Sequence, residues 1–450
     1  MTKNKFNLDP DNTEFNQAID LVQNSDKIIF LTGKAGTGKT TFLKYIKTIN
    51  QKKTVVLAPT GVAAINAGGQ TIHSFFQLKP SLYLPNDNRL TYESLDKRKG
   101  NIFTYFKYKK PKLNLLKNLE LLIIDEISMV RCDLLDVIDT ILRVYRENDE
   151  PFGGLQVLLI GDNFQLPPIT NRDDWQILSN HYNTPFFFSS KALEHDQPQK
   201  IELKKIYRQS DEKFISLLNQ IRNNQLSWDN LSQLNNRYIS NFNPPKEENY
   251  ILLATHNKKV DEVNKLELSK INNEEFIFHA KIENKFPQSA YPTQEELKLK
   301  VGAQIMMLKN DPLKRYFNGK IGKIIQLSKD NITIQFEDKK IIDLQPETWD
   351  NVDYKYEEKE LKIKEEIIGS FTQYPIKLAW AISVHKSQGL TFEKVIADLK
   401  DSFAPGQVYV ALSRCKSLSG LVLNSIIPKR AIRTSPEALQ YEKQNGIYFD

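Results

Sequence analysis

The 450-residue sequence predicts an α/β protein with two parallel-sheet domains and a small antiparallel β barrel inserted into the second. Three observations predict it. Short apolar strands recur, each followed by a turn and a helical stretch. Four of those strands run directly into polar, chemistry-bearing turns. Between residues 298 and 346 the pattern changes to short strands separated by turn residues alone.

In chain order, the strands of the first half are "KIIFLTG", "TVVLAPT", "LELLIIDE" and "LQVLLIGD". Continuous β-rich runs of this kind suit a parallel sheet covered on both faces. Strand alternating with helix means βαβ units. Functional groups should then lie just beyond the carboxyl ends of the strands. The glycine loop, "APTG", "DEIS" and "GDNFQ" all stand there, which points to one site. A second set begins with "NYILLATH" (249–256) and the helically spaced "NKKVDEVNKLELSKI", and continues with "KVIADL", the helix "PGQVYVALSRCKS" and the strand "GLVLN". Between its halves lie "GAQIMMLKN", "GKIGKIIQLS", "NITIQFE" and "KKIIDLQP", with hairpin signals at Asn318-Gly319 and "KDN". The charged run "YKYEEKELKIKEE" (354–366) reads as a solvated connector leading back.

Composition is that of a soluble globular chain, 40% hydrophobic and 26% charged. No apolar run approaches the ~20 residues that span a bilayer. The polar N-terminus lacks the apolar core of a signal peptide. Cys132 and Cys415 are far apart and give neither metal spacing nor a disulfide framework; they read as packed thiols in a reducing compartment. Net charge is +7, and residues 89–117 alone hold nine Lys/Arg against two acids. Tyr92, Phe103, Tyr105, Phe106 and Tyr108 are interleaved with those cations. Cations for phosphates and rings for bases make a nucleic-acid surface; a solvated lysine-rich loop with some buried rings is the alternative.

Gly33-x4-Gly38-Lys39-Thr40 fits the P-loop pattern in its required place, after a strand and before a helix. Backbone N–H groups of the loop (Gly33, Lys34, Ala35, Gly36, Thr37, Gly38) and the helix start, with Thr41 behind it, would surround phosphate oxygens. Lys39 would reach the β/γ-phosphates and Thr40 would hold Mg²⁺, so ATP and Mg²⁺ are the expected cofactors. Asp125 would hold the metal through water, and Glu126 would orient or deprotonate the attacking water. Gln165 suits sensing the γ-phosphate. Arg208 and Arg414, both from the second half of the chain, would stabilise charge during phosphoryl transfer.

Together these motifs resemble superfamily 1 helicases of the 5′→3′ class B, most closely the PIF family, with RecD and Dda as cousins. The matching segments, in family order, are "FNQAIDLV", "GKAGTGKTTF", "APTGVAAINAGGQTIHSFF", "IIDEISMV", "FGGLQVLLIGDNFQLPPI", "LKKIYRQSDEKFISLLNQIR", "VHKSQGLTF" and "VYVALSRCKS". Residues 126–154 resemble the stretch that sets the PIF branch apart.

The resemblance implies two RecA-like P-loop motor domains. The first is expected over 1–190, with a small basic aromatic insertion at about 77–115 near the point of strand separation. The second is expected over 191–297 and 372–430, an SH3-like barrel with its connector over 298–371, and a tail over 431–450. By the same resemblance Gln17 would read the adenine edge and Gly389 would approach the γ-phosphate through its backbone. Single-stranded DNA would cross Pro59, Thr60, His73, Ser74, Phe75, Phe164 and Pro167, then Thr255, His256, Asn257, His385, Lys386 and Ser387. The expected partners are single-stranded and tailed duplex DNA, with G-quadruplexes and RNA–DNA hybrids as further substrates, and no membrane. The chain is expected to be monomeric without DNA. Its location would be the cytoplasm and nucleoid in a bacterium, or the nucleus or mitochondrion in a eukaryote. Functions that depend on long terminal extensions are not expected. Three rivals stay open at this point: an RNA helicase on the same scaffold, a P-loop switch or kinase for a small substrate, and a non-enzymatic DNA-binding scaffold.

Overall fold

The computed structural model describes residues 9, 11–93, 99–194, 196–245, 247–311 and 313–445. They divide into two compact units: 1–163 with 167–206 and 351–368, and 164–166 with 207–350 and 369–450.

Six short strands carry the first unit: β1 (Ile29–Gly33), β2 (Thr54–Ala58), β3 (Gln70–Thr71), β4 (Leu121–Ile124), β5 (Gln156–Ile160) and β6 (Gln199–Leu203). Their order is β3-β2-β4-β5-β1-β6, and every pair is parallel. All residues of β1, β4 and β5 are buried, which is why these strands read as unbroken apolar runs. Helices Thr13–Asn24 and Lys39–Ile49 supply Phe15, Ala18, Val22, Phe42, Leu43 and Ile46 to the core beside Ile29, Leu31 and Ile123. Asn12 caps the first of these helices by accepting from the Phe15 N–H at 3.0 Å. Strand β6 pairs with β1 along its whole length, so the first unit runs to 206 rather than the expected 190.

In the second unit, strands Ala381–Ser383, Ile251–Ala254, Val395–Asp398 and Leu421–Leu423 lie in that order and are all parallel. The helices expected after "ATH" and around "VYVAL" are present as Asn257–Ser269 and Gln407–Leu412. Inserted between the first two neighbours is a five-stranded antiparallel sheet of Ile341–Leu344, Ile332–Phe336, Ile321–Leu327, Gln304–Met307 and Ile376–Leu378. The "KDN" turn closes with the Ser328 N–H donating to the Asn331 carbonyl at 3.0 Å.

The expected connector at 354–366 is corrected. Residues 347–357 and 362–373 are two long strands of one sheet with Lys281–Asn284. Charged residues alternate there with Tyr and Ile, and one face is buried against distant chain. Tyr354 is 4% exposed, and its hydroxyl accepts from the Val56 N–H at 3.2 Å. Gln70 donates to Asp353 at 3.1 Å.

The basic aromatic segment also differs from expectation. Ser94–Arg98, with Lys97 and Arg98, lies outside the described residues. Phe106 and Tyr108 are buried: the Tyr145 hydroxyl donates to the Phe106 carbonyl at 2.5 Å, and that of Tyr108 to the Phe76 carbonyl at 2.6 Å. Phe103 is half-buried edge-on to Tyr145, leaving Tyr92 and Tyr105 as the exposed rings. Among the described residues no helix is long and apolar enough to cross a membrane.

Candidate nucleotide and nucleic-acid sites

Strand β1 ends in a loop that only glycines can form. Gly36 and Gly38 sit at φ 85° and 96°, in the left-handed region. At Gly33 a Cβ would lie 2.6 Å from Thr37 Oγ1 and 2.7 Å from the Leu203 carbonyl, so the loop closes against β6. Thr37 Oγ1 donates to the Lys34 carbonyl at 2.9 Å. The eleven-residue helix Lys39–Ile49 then starts with Gly38 as its cap and no side chain satisfying its first N–H groups. Those donors and the helix dipole make an anion site. Lys39 Nζ reaches back over the loop to the carbonyls of Gly33 (2.5 Å) and Lys34 (3.2 Å). Thr40, the second residue of the helix, is exposed.

Asp125 follows β4, held by its N–H donating to the Leu57 carbonyl of β2 at 2.9 Å. Burial lifts its carboxyl to about 6, against the Glu126 N–H and the Lys39 ammonium, which favour the charged form. Glu126 is half-buried at φ 52°. A non-glycine residue there stores roughly 1 kcal/mol of strain, at the position expected to orient water. Gly161, just past β5, lets the turn approach: a Cβ would lie 2.8 Å from Ile127 Cγ2. Among the described residues no group of three or more His, Cys, Asp or Glu could hold a metal. The side chains assigned to the metal, Thr40 and Asp125, both offer oxygen donors. That set fits Mg²⁺, which takes one or two protein ligands and completes its shell with phosphates and water.

The second unit brings together Arg208, Arg414 and Gly389. Arg414 is 1% exposed, with Nε donating to the Val410 carbonyl and a terminal nitrogen to Ser413 Oγ, both at 2.8 Å. Arg208 donates to the carbonyls of Ser413 (3.2 Å) and Gly389 (3.4 Å). Burial and the neighbouring Arg414 charge pull the Arg208 guanidinium down to about 9. Gly389 has φ 79° and open space where a Cβ would stand. Gln165 joins the same unit, where its Oε1 accepts from Gln388 at 3.2 Å. Gly406 makes room for it, since a Cβ there would sit 2.2 Å from the Gln165 carbonyl. Sequence reasoning passed over two residues of this cluster. Gln388 holds Gln165, and Gln209 fixes the Arg208 loop through 3.0 Å bonds to the carbonyls of Ser413 and Cys415. Both adjoin residues already singled out, which was the available signal.

The expected DNA contacts fare unevenly. Thr60, Ser74, His256, Asn257 and Lys386 are exposed; Pro59, His73, Pro167 and His385 are half-buried. Burial lowers the pKa of both His73 and His385, so they act as neutral hydrogen-bonding groups at pH 7. Thr255 is buried with its hydroxyl 2.8 Å from His256 Nδ1. Three residues are corrected. Phe75 is 1% exposed, packed edge-on to Phe76 and Tyr354 with the Lys112 ammonium on its face. Phe164 is 2% exposed beneath the Arg222 guanidinium. Neither ring has a face left for a base. Ser387 is fully buried, its hydroxyl donating to the Val384 carbonyl at 2.8 Å. Gln17 lies on the exposed side of its helix.

A family model described as PIF1-like helicase matches residues 8–231, and one for the 2B domain of DNA helicase Pif1 matches 282–327. The chain is 29% identical to the ATP-dependent DNA helicase Pif1 of Bdellovibrio bacteriovorus, over 95% of this chain and 90% of that one. It is 33% identical to the Xenopus laevis ATP-dependent DNA helicase PIF1, over 93% of this chain but only 62% of that longer relative. The solved Bacteroides sp. Pif1 in complex with ADP-AlF4 is 41% identical, with TM-score 0.88 and 96% of both chains covered. The same relative bound to ssDNA is 42% identical, with TM-score 0.66 and the same coverage. The phosphate loop, the carboxylate at the end of β4, the paired arginines and a likeness that runs nearly end to end lead to one conclusion: the chain belongs to the PIF1-like helicase family.

Proposed function

We propose that the chain is an ATP-dependent DNA helicase that moves 5′→3′ along single-stranded DNA and opens duplex ahead of it. The observation that carries this is the P-loop lysine electrostatically paired with a half-buried carboxylate, Lys39 and Asp125, on the scaffold of a relative solved with ssDNA. The loop N–H groups and helix start bind the triphosphate, and Gln17 reads the base. Thr40 and Asp125 would hold Mg²⁺, which when bound would neutralise charge on the phosphate oxygens. Glu126 orients the attacking water and takes its proton. Arg208 and Arg414 meet the negative charge of the transferring group, while Gln165 and Gly389 report whether the γ-phosphate is present. Thr60, Ser74, His256, Asn257 and Lys386 supply small donors for DNA phosphates. The same reading extends to G-quadruplexes and RNA–DNA hybrids, and to a monomer in the absence of DNA; these rest on family resemblance.

The test is unwinding of two partial duplexes, one with a 5′ tail and one with a 3′ tail, alongside ATPase stimulation by matched DNA and RNA strands. The reading expects the 5′-tailed duplex to open and DNA to stimulate. ATP turnover indifferent to any strand would return the chain to the small-substrate class.

A further inference from the structure

We infer that the second unit holds single-stranded DNA over a longer row than the expected contacts, running from His256 through Phe403 and Ile426 to Trp228. The inference rests on the strand-binding function proposed above. Strands Ile251–Ala254, Val395–Asp398 and Leu421–Leu423 are parallel neighbours, so their carboxyl ends stand in line. His256, Phe403 and Ile426 belong to the segments that leave those three ends. Phe403 is 54% exposed, with its ring 5.3 Å from that of His256. Ile426 is 57% exposed, and Ser425 before it donates to the Asp398 carboxylate at 3.4 Å. The row then reaches helix Trp228–Asn235, which is bolted to the same segment: Asn235 donates to the Ile427 carbonyl at 3.1 Å and accepts from its N–H at 2.9 Å. Trp228 opens that helix 69% exposed, with Lys429 Nζ 4.7 Å from its ring.

Exposed Trp228, Ile426 and Phe403 together make an apolar row of the kind that something covers. The charge around it says what that is. Lys400, Lys429, Arg430 and Arg433 are exposed, and none is drawn into an ion pair among the described residues. The acid inside the row, Asp398, is already neutralised by Lys259 and bonded to Ser425. Rings and aliphatic faces alternating with unpaired cations suit stacked bases on a polyanionic backbone. Asp229 and Asp401 flank the row, which places the expected effect low in the usual range for a base–aromatic stack.

The experiment compares binding of oligo-dT strands of about 8 and about 20 nucleotides, lengths that bracket the ~4–16 nucleotides one such module occupies, to the full chain. In Trp228→Ala the ratio of long-strand to short-strand affinity should fall roughly tenfold. Lys429→Ala with Arg430→Ala should flatten the salt dependence of long-strand binding by about 0.7 in the log–log slope for each phosphate that is no longer neutralised. Trp228→Phe should keep the affinity ratio while removing part of the fluorescence quench that the long strand causes. Thermal melts followed by circular dichroism check that the variants fold. An unchanged ratio and slope, in a chain that binds strands, overturns the row and leaves the patch to an acidic protein partner. A wild-type chain that binds neither strand overturns the helicase function and the row with it.

Discussion

Replacing Lys112 with Met should stabilise the first unit at neutral pH and leave DNA affinity unchanged. Lys112 lies in the first turn of helix Lys110–Asn118, where a cation opposes the helix dipole. Its ammonium faces the Phe75 ring at 3.2 Å from the centroid, and burial pulls its pKa down to about 7, with Asp353 resisting. The unfolded chain keeps the ordinary value of 10.5. Above pH 10.5 both states are neutral and the lysine costs nothing. As pH falls, the unfolded state takes up a proton first, so the folded state loses ground until about pH 7, below which the full penalty stands. At about 1.4 kcal/mol per pH unit, a sealed group would lose about 5 kcal/mol. Lys112 is only half-buried, and its contact with the Phe75 ring returns about 1–2 kcal/mol. We expect Lys112→Met to gain about 1–2 kcal/mol at pH 7, the gap closing toward pH 10.5. Urea unfolding at pH 6.5, 8 and 9.5, followed by tryptophan fluorescence, measures it. A Met variant less stable than wild type at pH 7, or a gap independent of pH, would refute the reasoning. Reduced DNA affinity in the variant would show that the ammonium serves the strand instead of the core.

Lys39→Ala should cut ATP turnover by about 10²–10³ and abolish unwinding while strand binding persists, as steady-state hydrolysis and filter binding will tell. Arg208→Ala should lower turnover by roughly 10³-fold or more with little change in nucleotide affinity, because its donors serve developing charge; equal losses in both would make it a binding residue. Gly406→Ala places a Cβ 2.2 Å from the Gln165 carbonyl at φ 74° and should destabilise the second unit by about 3 kcal/mol, visible in denaturant unfolding and in weakened DNA stimulation.

What could be read from the sequence was local. The P-loop, the strand ends and the "KDN" hairpin are each written within a few neighbouring residues, and each stands where its pattern placed it. What escaped was set by distant partners. The alternation in 347–373 was plain, but the surface that buries Tyr354 belongs to Val56, 298 residues away. Charge therefore outweighed periodicity in that segment. Phe75 and Phe164 sit in segments that the family resemblance assigns to DNA, and nothing adjacent in sequence tells a core ring from a platform ring. Trp228 shows the converse: an isolated tryptophan opening a short helix looks like core, and only its exposure marks it otherwise.

Arg208 and Arg414 stand side by side with carbonyl and hydroxyl oxygens for company and each other's charge for a neighbour. Two like charges held this close favour an anion beside them, and more strongly the higher its valence. Under the function proposed above, the pair would therefore hold a fresh fuel molecule harder than a spent one, and that difference in grip is the quantity a ratchet needs.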